Sequence, residues 1–300
     1  MALLDPGEDG PPRPGAAFTL RVAGAESNFA IALARLGVEA RWVSRLGDDL
    51  LGKMVRATLA DEGLDLRFVR VDPAAPTGLY FKFRSRGRTE VAYYRAGSAA
   101  SRLEPDDVPD DALDGLRLVH LTGITMALSD GARELVLNLA GRARERGARV
   151  IFDPNYRSAM WDGPQHAEAS QRAILPLVDW YLCGCDEGCR LYGVRGEGEL
   201  FEALDSAGVE QAVVRVGERG ALVSVDGSVR EVAPRRSVEV HDEVGAGDAF
   251  AAGFAFGLLR DWEPARCADA GNLIAASALG GTGDWETLPR LHEVAEPLGL

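Results

Sequence analysis

Short apolar runs alternate with helix-like segments along most of the chain. The helix-like segment that begins at Ser129 ends near Gly147 and is followed directly by an apolar run. Comparable strand-like runs lie at residues 40–46, 116–121, 149–153, 180–183 and 212–216. Strands that alternate with helices in this way predict an α/β fold of three layers, in which a mostly parallel central sheet has helices on both faces.

Two regions show an alternation of apolar and polar residues instead. Residues 18–22 form one, and residues 78–94 form the other, in which a turn at 85–88 separates two runs. This pattern predicts a strand and an antiparallel hairpin. A small β-sheet beside an α/β core is typical of a lid over an active site, and an ordinary edge hairpin is the alternative. We assign residues 24–74 and 99–300 to the catalytic core, 13–23 and 75–98 to a β-sheet lid, and 1–12 to a shortened N-terminus.

Acidic residues outnumber basic ones by 46 to 33, which gives a formal charge of −13 at pH 7. Nucleic acids and anionic membranes require basic protein surface, so we expect neither as a partner. The sequence shows no basic leader followed by an apolar run, and no segment long enough to span a bilayer. We therefore expect a cytoplasmic protein whose four cysteines are reduced.

The strongest chemical signal is the segment Asp242–Asp248, which reads Asp-Glu-Val-Gly-Ala-Gly-Asp and precedes a helix of small residues. Gly245, Ala246 and Gly247 therefore lie at a helix N-terminus, where free amides and the helix dipole favour an anion. Beside that anion, the carboxylate of Asp248 can take a proton from a substrate hydroxyl. This arrangement predicts phosphoryl transfer to an alcohol, whereas a plain helix cap would not explain the two glycines.

Two glycine-containing segments resemble other nucleotide-binding motifs but differ from them at essential positions. Phe250 stands where a dinucleotide fingerprint that begins at Gly245 needs its third glycine. In Gly47–Met54, Met54 replaces the hydroxyl residue with which a P-loop binds its metal, and two aspartates would repel phosphates. A nicotinamide oxidoreductase and a P-loop enzyme are therefore disfavoured.

Two separated parts of the chain resemble the signatures of the ribokinase-like (PfkB) carbohydrate kinases. Gly24–Gly37 followed by Gly47–Gly52 is similar to their N-terminal signature, and Asp242–Asp248 is similar to their C-terminal one. The similarity runs from about Phe18 to the end of the chain. It implies a Rossmann-like core, a β-sheet lid, ATP and Mg²⁺ as cofactors, and transfer to a primary alcohol.

Within this family, the middle of the chain is most similar to the 2-keto-3-deoxygluconate kinases. The segments that support this similarity are 93–99, 121–129 and 153–161. The resemblance implies a sugar-acid site lined by Gly24, Asn28, Tyr80, Tyr93, Arg95, Arg157 and Asp284. The chemistry of these residues agrees with this, because Arg95 and Arg157 can neutralise a carboxylate. The side chains of Asn28 and Asp284 can bind hydroxyls.

The same resemblance implies a nucleotide site and a metal contact. ATP would be bound by Arg215, Gly217, Gly220 and Asn272, and Glu187 would act on magnesium through water. Two positions depart from the family pattern: Gly184 stands where an asparagine is usual, and Glu243 stands where a threonine is common.

The start of the sequence is the largest departure. Family members begin with a core strand that ends near the substrate, whereas only residues 1–4 precede Asp5-Pro6 here. We expect either a start site assigned too late or a sheet that lacks an interior strand, which would expose both neighbouring strands. Mass spectrometry of the native protein distinguishes these possibilities.

Together these features predict an ATP-dependent kinase that converts 2-keto-3-deoxygluconate to its 6-phosphate. The nearest alternative is a kinase of the same family that acts on a neutral sugar, of the fructokinase or ribokinase type. A sugar-binding paralogue with weak catalysis is the alternative from another class, motivated by Gly184 and the short N-terminus. By analogy with family members whose lids pair, we expect a homo-oligomer that forms through the lid.

Overall fold

The computed structural model describes residues 1–6, 10, 13–85, 88–235, 240, 243–281 and 283–300. Its strands are β1 Ala2–Pro6, β2 Phe18–Val22, β3 Ser44–Gly47, β4 Val69–Asp72, β5 Leu79–Ser85, β6 Arg88–Tyr94, β7 Leu118–Thr122, β8 Arg149–Asp153, β9 Trp180–Gly184, β10 Gln211–Arg215, β11 Ala221–Val225 and β12 Ser228–Val232. Its α-helices are α1 Ala25–Arg35, α2 Leu50–Asp61, α3 Gly123–Met126, α4 Asp130–Glu145, α5 Pro164–Arg172, α6 Cys185–Tyr192, α7 Gly196–Ser206, α8 Ala246–Leu258, α9 Pro264–Leu279 and α10 Leu291–Leu298.

The central sheet has the strand order β12-β11-β10-β9-β8-β7. Strands β7 to β10 are parallel, and β11 and β12 add to one edge in antiparallel pairs. Side chains alternate between its faces: Ile151 and Leu182 pack with α1, α8 and α9, whereas Phe152 and Val214 pack with α4 to α7. Both faces are covered, which explains why these strands are apolar throughout. The predicted three-layer α/β architecture is confirmed.

Most of the predicted core elements are present with bounds close to those expected. Ser129 caps α4, because its hydroxyl accepts a hydrogen bond from the Ala132 amide at 3.1 Å. Strand β8 has the predicted bounds, Arg149–Asp153. The predicted strand at 40–46 is wrong in extent, since β3 spans Ser44–Gly47 and Arg41 makes only an isolated bridge to Asp65.

A second sheet, with the order β2-β1-β5-β6, forms the lid. The predicted hairpin is present as β5 and β6, in which Tyr80 lies opposite Tyr93, while turn residues 86 and 87 lie outside the described residues. The lid also contains β1, a strand that the sequence analysis does not predict. It lies between β2 and β5, and its Leu3 side chain is fully buried against Tyr80 and Ala23.

Strands β3 and β4 form a separate two-stranded parallel sheet. Among the described residues, β3 pairs only with β4, and β7 pairs only with β8. Residues of both β3 and β7, including Leu46 and Leu118, line one cavity of about 2460 Å³ that continues into the cleft described below. The expected interruption of the sheet at an interior position is thus present in the described part of the chain.

None of the helices in the described part of the chain combines the length and the apolar character that crossing a membrane requires.

Candidate active site

The turn before α8 has the geometry of an anion cradle. Gly245 adopts a left-handed φ of 86°, and a Cβ there would lie 2.1 Å from the Asp284 carbonyl oxygen, so only glycine fits. From this turn the backbone enters the 13-residue α8, whose first amides and dipole favour an anion. Asp242, the first residue of the motif, lies outside the described residues, and Glu243 is exposed.

Asp248 lies in the first turn of α8, and its side chain is buried. The side-chain Nδ2 of Asn28 donates to Asp248 Oδ2 at 2.9 Å, and the side-chain Nδ2 of Asn155 donates to Asp248 Oδ1 at 3.4 Å. Burial raises the pKa of Asp248 to about 7, helped by the charges of Asp153 and Asp284 and opposed by the Asn28 hydrogen bond. A carboxylate with such a pKa is suited to accept a proton near neutral pH.

Arg215, at the end of β10, lies between two carboxylates beside this cradle. Its guanidinium donates to Asp153 Oδ2 at 2.9 Å and lies 3.8 Å from Glu187 Oε2. The charges of Asp153 and Glu187 outweigh burial and raise the pKa of Arg215 further. The same guanidinium lies 3.5 Å from the position of a Cβ on Gly247. Arg215 therefore presents a fixed positive charge to the cradle at Gly247.

The loop after β10 forms the opposite end of the cleft, which we call the loop side (residues 215–220). Gly220 has a φ of 90°, and a Cβ there would lie 2.3 Å from the Val232 carbonyl oxygen. The Asn272 side chain donates to that same oxygen at 2.9 Å. Gly217 is exposed and begins the 3-10 turn that lies between the end of β10 and Gly220. Gly220 and Asn272 thus fix the loop against β12 while they line the cleft.

The inner face of the lid covers the other end, which we call the lid side (Tyr80, Tyr93 and Arg95). The two tyrosine rings lie 5.7 Å apart, centroid to centroid. The Tyr80 hydroxyl donates to Asp284 Oδ2 at 2.8 Å, and its burial raises its pKa well above the ordinary value. The lid therefore contributes aromatic surface, a phenol and a guanidinium to one wall.

Arg95 and Arg157 line the cleft without forming a salt bridge to any carboxylate of the described residues. Burial lowers the pKa of Arg95, and its buried Nε has no hydrogen-bond partner in the described part of the chain. Arg157 is exposed, and among the described residues its guanidinium donates only to the Tyr156 carbonyl, at 3.5 Å. A buried donor without a partner favours binding of an acceptor.

Glu26 is a cleft residue that the sequence analysis did not select. One carboxylate oxygen, Oε1, accepts hydrogen bonds from the hydroxyls of Thr122 and Thr125, each at 2.6 Å. These bonds outweigh burial and lower the pKa of Glu26, to which the charge of Arg95 also contributes. Gly24, just before it, is the N-cap of α1 with a φ of 148°.

One cleft brings together all the residues to which the sequence analysis gave a role. They are Gly24, Asn28, Tyr80, Tyr93, Arg95, Arg157, Glu187, Arg215, Gly217, Gly220, Gly245, Ala246, Gly247, Asp248, Asn272 and Asp284. Sequence reasoning missed Glu26, Asn155 and Lys82. Asn155 had a usable signal, because polar residues that follow a parallel strand face the ligand side of such a sheet. Glu26 and Lys82 had none.

The structure gives Gly47–Met54 a role unrelated to phosphate. Asp49 caps α2 by accepting a hydrogen bond from the Gly52 amide at 2.7 Å, and its second oxygen accepts one from the Thr77 amide at 2.7 Å. Asp49 therefore joins the N-terminus of α2 to Thr77, near the start of the lid segment. This explains one of the two aspartates that argued against a P-loop.

The residues present fit a magnesium ion held largely by phosphate and water. Asp153 and Glu187 supply the hard carboxylate oxygens that Mg²⁺ prefers, and the ion commonly uses only one or two protein carboxylates. Burial and the charge of Asp153 raise the pKa of Glu187, and the charge of Arg215 only partly opposes them. Glu187 Oε1 already accepts from the Tyr156 amide, so contact through water is the better fit.

Comparison with known proteins agrees with this geometry. The family model described as "pfkB family carbohydrate kinase" matches residues 4–290. A 2-dehydro-3-deoxygluconokinase of Thermoproteus tenax is 39% identical over 296 residues, covering 96% of this chain and 89% of the relative. One of Bacillus subtilis is 32% identical over 297 residues, covering 98% and 92%.

Among solved structures, the aminoimidazole riboside kinase of Salmonella enterica, complexed with aminoimidazole riboside and an ATP analogue, superposes with a TM-score of 0.86. It is 27% identical and covers 99% of this chain and 97% of its own. With a glycine cradle, a buried carboxylate beside it and a lid over the cleft, the chain is an enzyme that belongs to the pfkB family of carbohydrate kinases.

Proposed function

We propose that this kinase transfers the γ-phosphoryl group of ATP to the 6-hydroxyl of 2-keto-3-deoxygluconate (2-dehydro-3-deoxygluconate). The observation that carries the proposal is the pair Arg95 and Arg157, two cations that line the cleft without a salt bridge to a described carboxylate. A neutral sugar has no charged group that could pair with these guanidiniums, whereas a sugar acid has a carboxylate that can. The names of the two relatives described above support the same substrate.

In the proposed reaction, the 6-hydroxyl lies between Asp248 and the cradle. Its proton passes to the Asp248 carboxylate while the oxygen–phosphorus bond forms and the bond from the γ-phosphorus to the bridging oxygen breaks, which releases ADP. The amides of Gly245, Ala246 and Gly247 donate to the transferring group, and Arg215 offsets its charge. Asn28 and Asn155 orient Asp248 by their hydrogen bonds.

The nucleotide would lie along the loop side, against Gly217, Gly220 and Asn272. Magnesium, held by Glu187 through water, would offset phosphate charge when bound. The sugar acid would lie under the lid, with its carboxylate toward the two arginines and its hydroxyls toward Tyr93, Asp284 and the backbone at Gly24. The reaction would take place in the cytoplasm.

A substrate panel tests the proposal. Turnover is measured with 2-keto-3-deoxygluconate, its galactonate epimer, fructose and ribose, each with Mg–ATP. We expect the sugar acids to exceed the neutral sugars in kcat/KM. In Arg157→Met, kcat/KM for the sugar acid should fall about 10- to 100-fold, the value of one or two charge-assisted hydrogen bonds, while that for fructose should not. Preference for fructose or ribose indicates the alternative kinase type, and no turnover with any sugar indicates a binding paralogue.

We also propose that two copies pair through their lids. The outer face of the lid sheet presents an aromatic cluster in which the Phe81 ring lies 5.6 Å from Phe18, 5.9 Å from Phe83 and 5.6 Å from Tyr94. Tyr94 is 64% exposed and Leu20 is 45% exposed. Contiguous apolar surface of this kind marks an interaction site. Sedimentation should show a dimer for the wild type and a monomer for Phe81→Arg; a monomeric wild type contradicts the proposal.

A further inference from the structure

Lys82 is a charged residue in a fully buried position. It lies in the middle of β5, and its side chain is 0% exposed. Its Nζ lies 3.3 Å from Asp284 Oδ1, while the Tyr80 hydroxyl donates to the other oxygen of the same carboxylate. Lysine is almost never buried to this degree unless a partner holds it.

Composition makes this lysine more notable. The chain has only two lysines, Lys53 and Lys82, among 33 basic residues. Arginine supplies the other 31 basic residues. A lysine at a fully buried position of the lid therefore departs from the usage of the rest of the chain. Its compact head suits a narrow buried site better than a planar guanidinium does.

Asp284, the partner of Lys82, also contacts the anion cradle, through its backbone carbonyl. The Asp284 carbonyl oxygen occupies the space that a Cβ on Gly245 would need, 2.1 Å away. The next two residues are also tied to the lid, because the Trp285 indole donates to the Val22 carbonyl at 2.7 Å and Glu286 pairs with Arg21 at 3.0 Å. A continuous set of contacts therefore runs from the lid sheet through residues 284–286 to the cradle.

We propose that Lys82 is a positioning residue that acts through Asp284 to hold the cradle in register with the lid. Lys82 does not itself line the cleft, so it acts on substrate only through its partner. When the lid covers the sugar, the Lys82–Asp284 pair fixes the distance between the lid-bound substrate and the amides that meet the phosphoryl group. This inference rests on the proposed function, because it assumes a sugar bound under the lid.

The test is a double-mutant cycle on the full-length enzyme with Lys82→Met, Asp284→Asn and the double variant. We expect Lys82→Met to lower kcat about 10- to 100-fold, the cost of a misplaced reacting group, with the dissociation constant for ATP unchanged. Because Lys82 acts through Asp284, the double variant should lose about as much as Asp284→Asn alone. Lys53→Met is the control, since that ammonium is 70% exposed, and should match the wild type.

Three outcomes overturn the inference: a folded Lys82→Met within twofold of wild-type kcat, losses that multiply in the double variant, or an equal loss of ATP affinity. Where Lys82→Met does not fold, Lys82→Arg and the double variant, which leaves no buried unpaired charge, give the same comparison. Wild-type enzyme without activity on 2-keto-3-deoxygluconate refutes the proposed substrate alone. The cycle is then run with the best sugar of the panel.

Discussion

Arg215 on the loop side lies between Asp153 and Glu187, whereas Arg95 on the lid side and Arg157 after β8 form no salt bridge with a described carboxylate. The three guanidiniums share one cleft and one chemical type. The first has its charge fixed by the protein, so it can present a constant field to a phosphate. Arg95 has a buried Nε without a hydrogen-bond partner among the described residues, and Arg157 is exposed in the cleft. The ionic partner of both is therefore expected to be the ligand.

Asp248 belongs with Arg215 in this comparison, because protein groups also fix its position and its proton affinity. Groups held in this way should matter for turnover or stability whatever the sugar is. Arg95 and Arg157, which have no ionic partner among the described residues, should affect turnover only with particular sugars. The predictions that follow test this division, from the largest expected effect to the smallest.

Replacing Asp248 with asparagine should lower turnover about 10²- to 10⁴-fold, because the base is lost while the shape of the side chain is kept. Circular dichroism and thermal unfolding check the fold, and a coupled ADP assay measures turnover. Asp162→Asn, at a side chain that is 99% exposed, is the control and should match the wild type. Wild-type turnover in Asp248→Asn removes this residue from the role of base.

Arg215→Met should destabilise the fold by about 3–5 kcal/mol, since Asp153 and Glu187 would be left buried without their cation. Arg219→Met, in the same loop, is the matched control. Arg219 also contacts two carboxylates, Glu197 and Glu231, but is 52% exposed, so its loss should cost no more than about 1 kcal/mol. Urea unfolding measures both. Equal losses would show that Arg215 is not held as we describe.

The two glycines of the cradle should respond differently to alanine. Gly245→Ala places a Cβ against the Asp284 carbonyl at a left-handed φ, which should cost about 1–3 kcal/mol. Gly247 is helical and its Cβ would meet Arg215 at 3.5 Å, an ordinary contact. The free energy of unfolding of Gly247→Ala should therefore equal that of the wild type or exceed it by up to about 1 kcal/mol, while the KM of this variant for ATP rises. Similar unfolding temperatures for both variants contradict this account.

The pH dependence should report the environment of Asp248. Its pKa is raised to about 7, so kcat/KM for the sugar acid should rise with pH through that region as the base ionises. The raised pKa also means that the protonated form favours folding, so this contribution is full below about pH 4 and is lost as pH rises toward 7. Asp248→Asn should remove that loss from the stability profile.

Asn28→Leu sharpens the same measurement. Because the Asn28 hydrogen bond lowers the pKa of Asp248, its removal should move the rising limb of the kcat/KM profile to higher pH. A limb that does not move in Asn28→Leu would separate the observed pKa from Asp248.

The alternation of residues 78–94 predicts the hairpin correctly but not which face is functional. Phe81, Phe83 and Tyr94 lie together on the outer face, whereas Tyr80 and Lys82 point inward to Asp284. A period-2 pattern distinguishes two faces and does not say which one meets the rest of the protein. For this reason the sequence pattern predicts a solvent-exposed Lys82, whereas the structure buries its side chain completely.

The sequence by itself determined the α/β class, most core strands and the glycine-containing segment before α8, because these depend on local periodicity and on a short motif at a helix start. Only the tertiary structure decided which charged side chains are paired and how their pKa values are shifted. Asn28 and Asp248 meet across 220 residues, and Lys82 and Asp284 meet across 202. The structure also decided that β1 joins the lid. Burial and pairing set the pKa of a side chain and the availability of its donors, and both depend on neighbours that chain order does not specify.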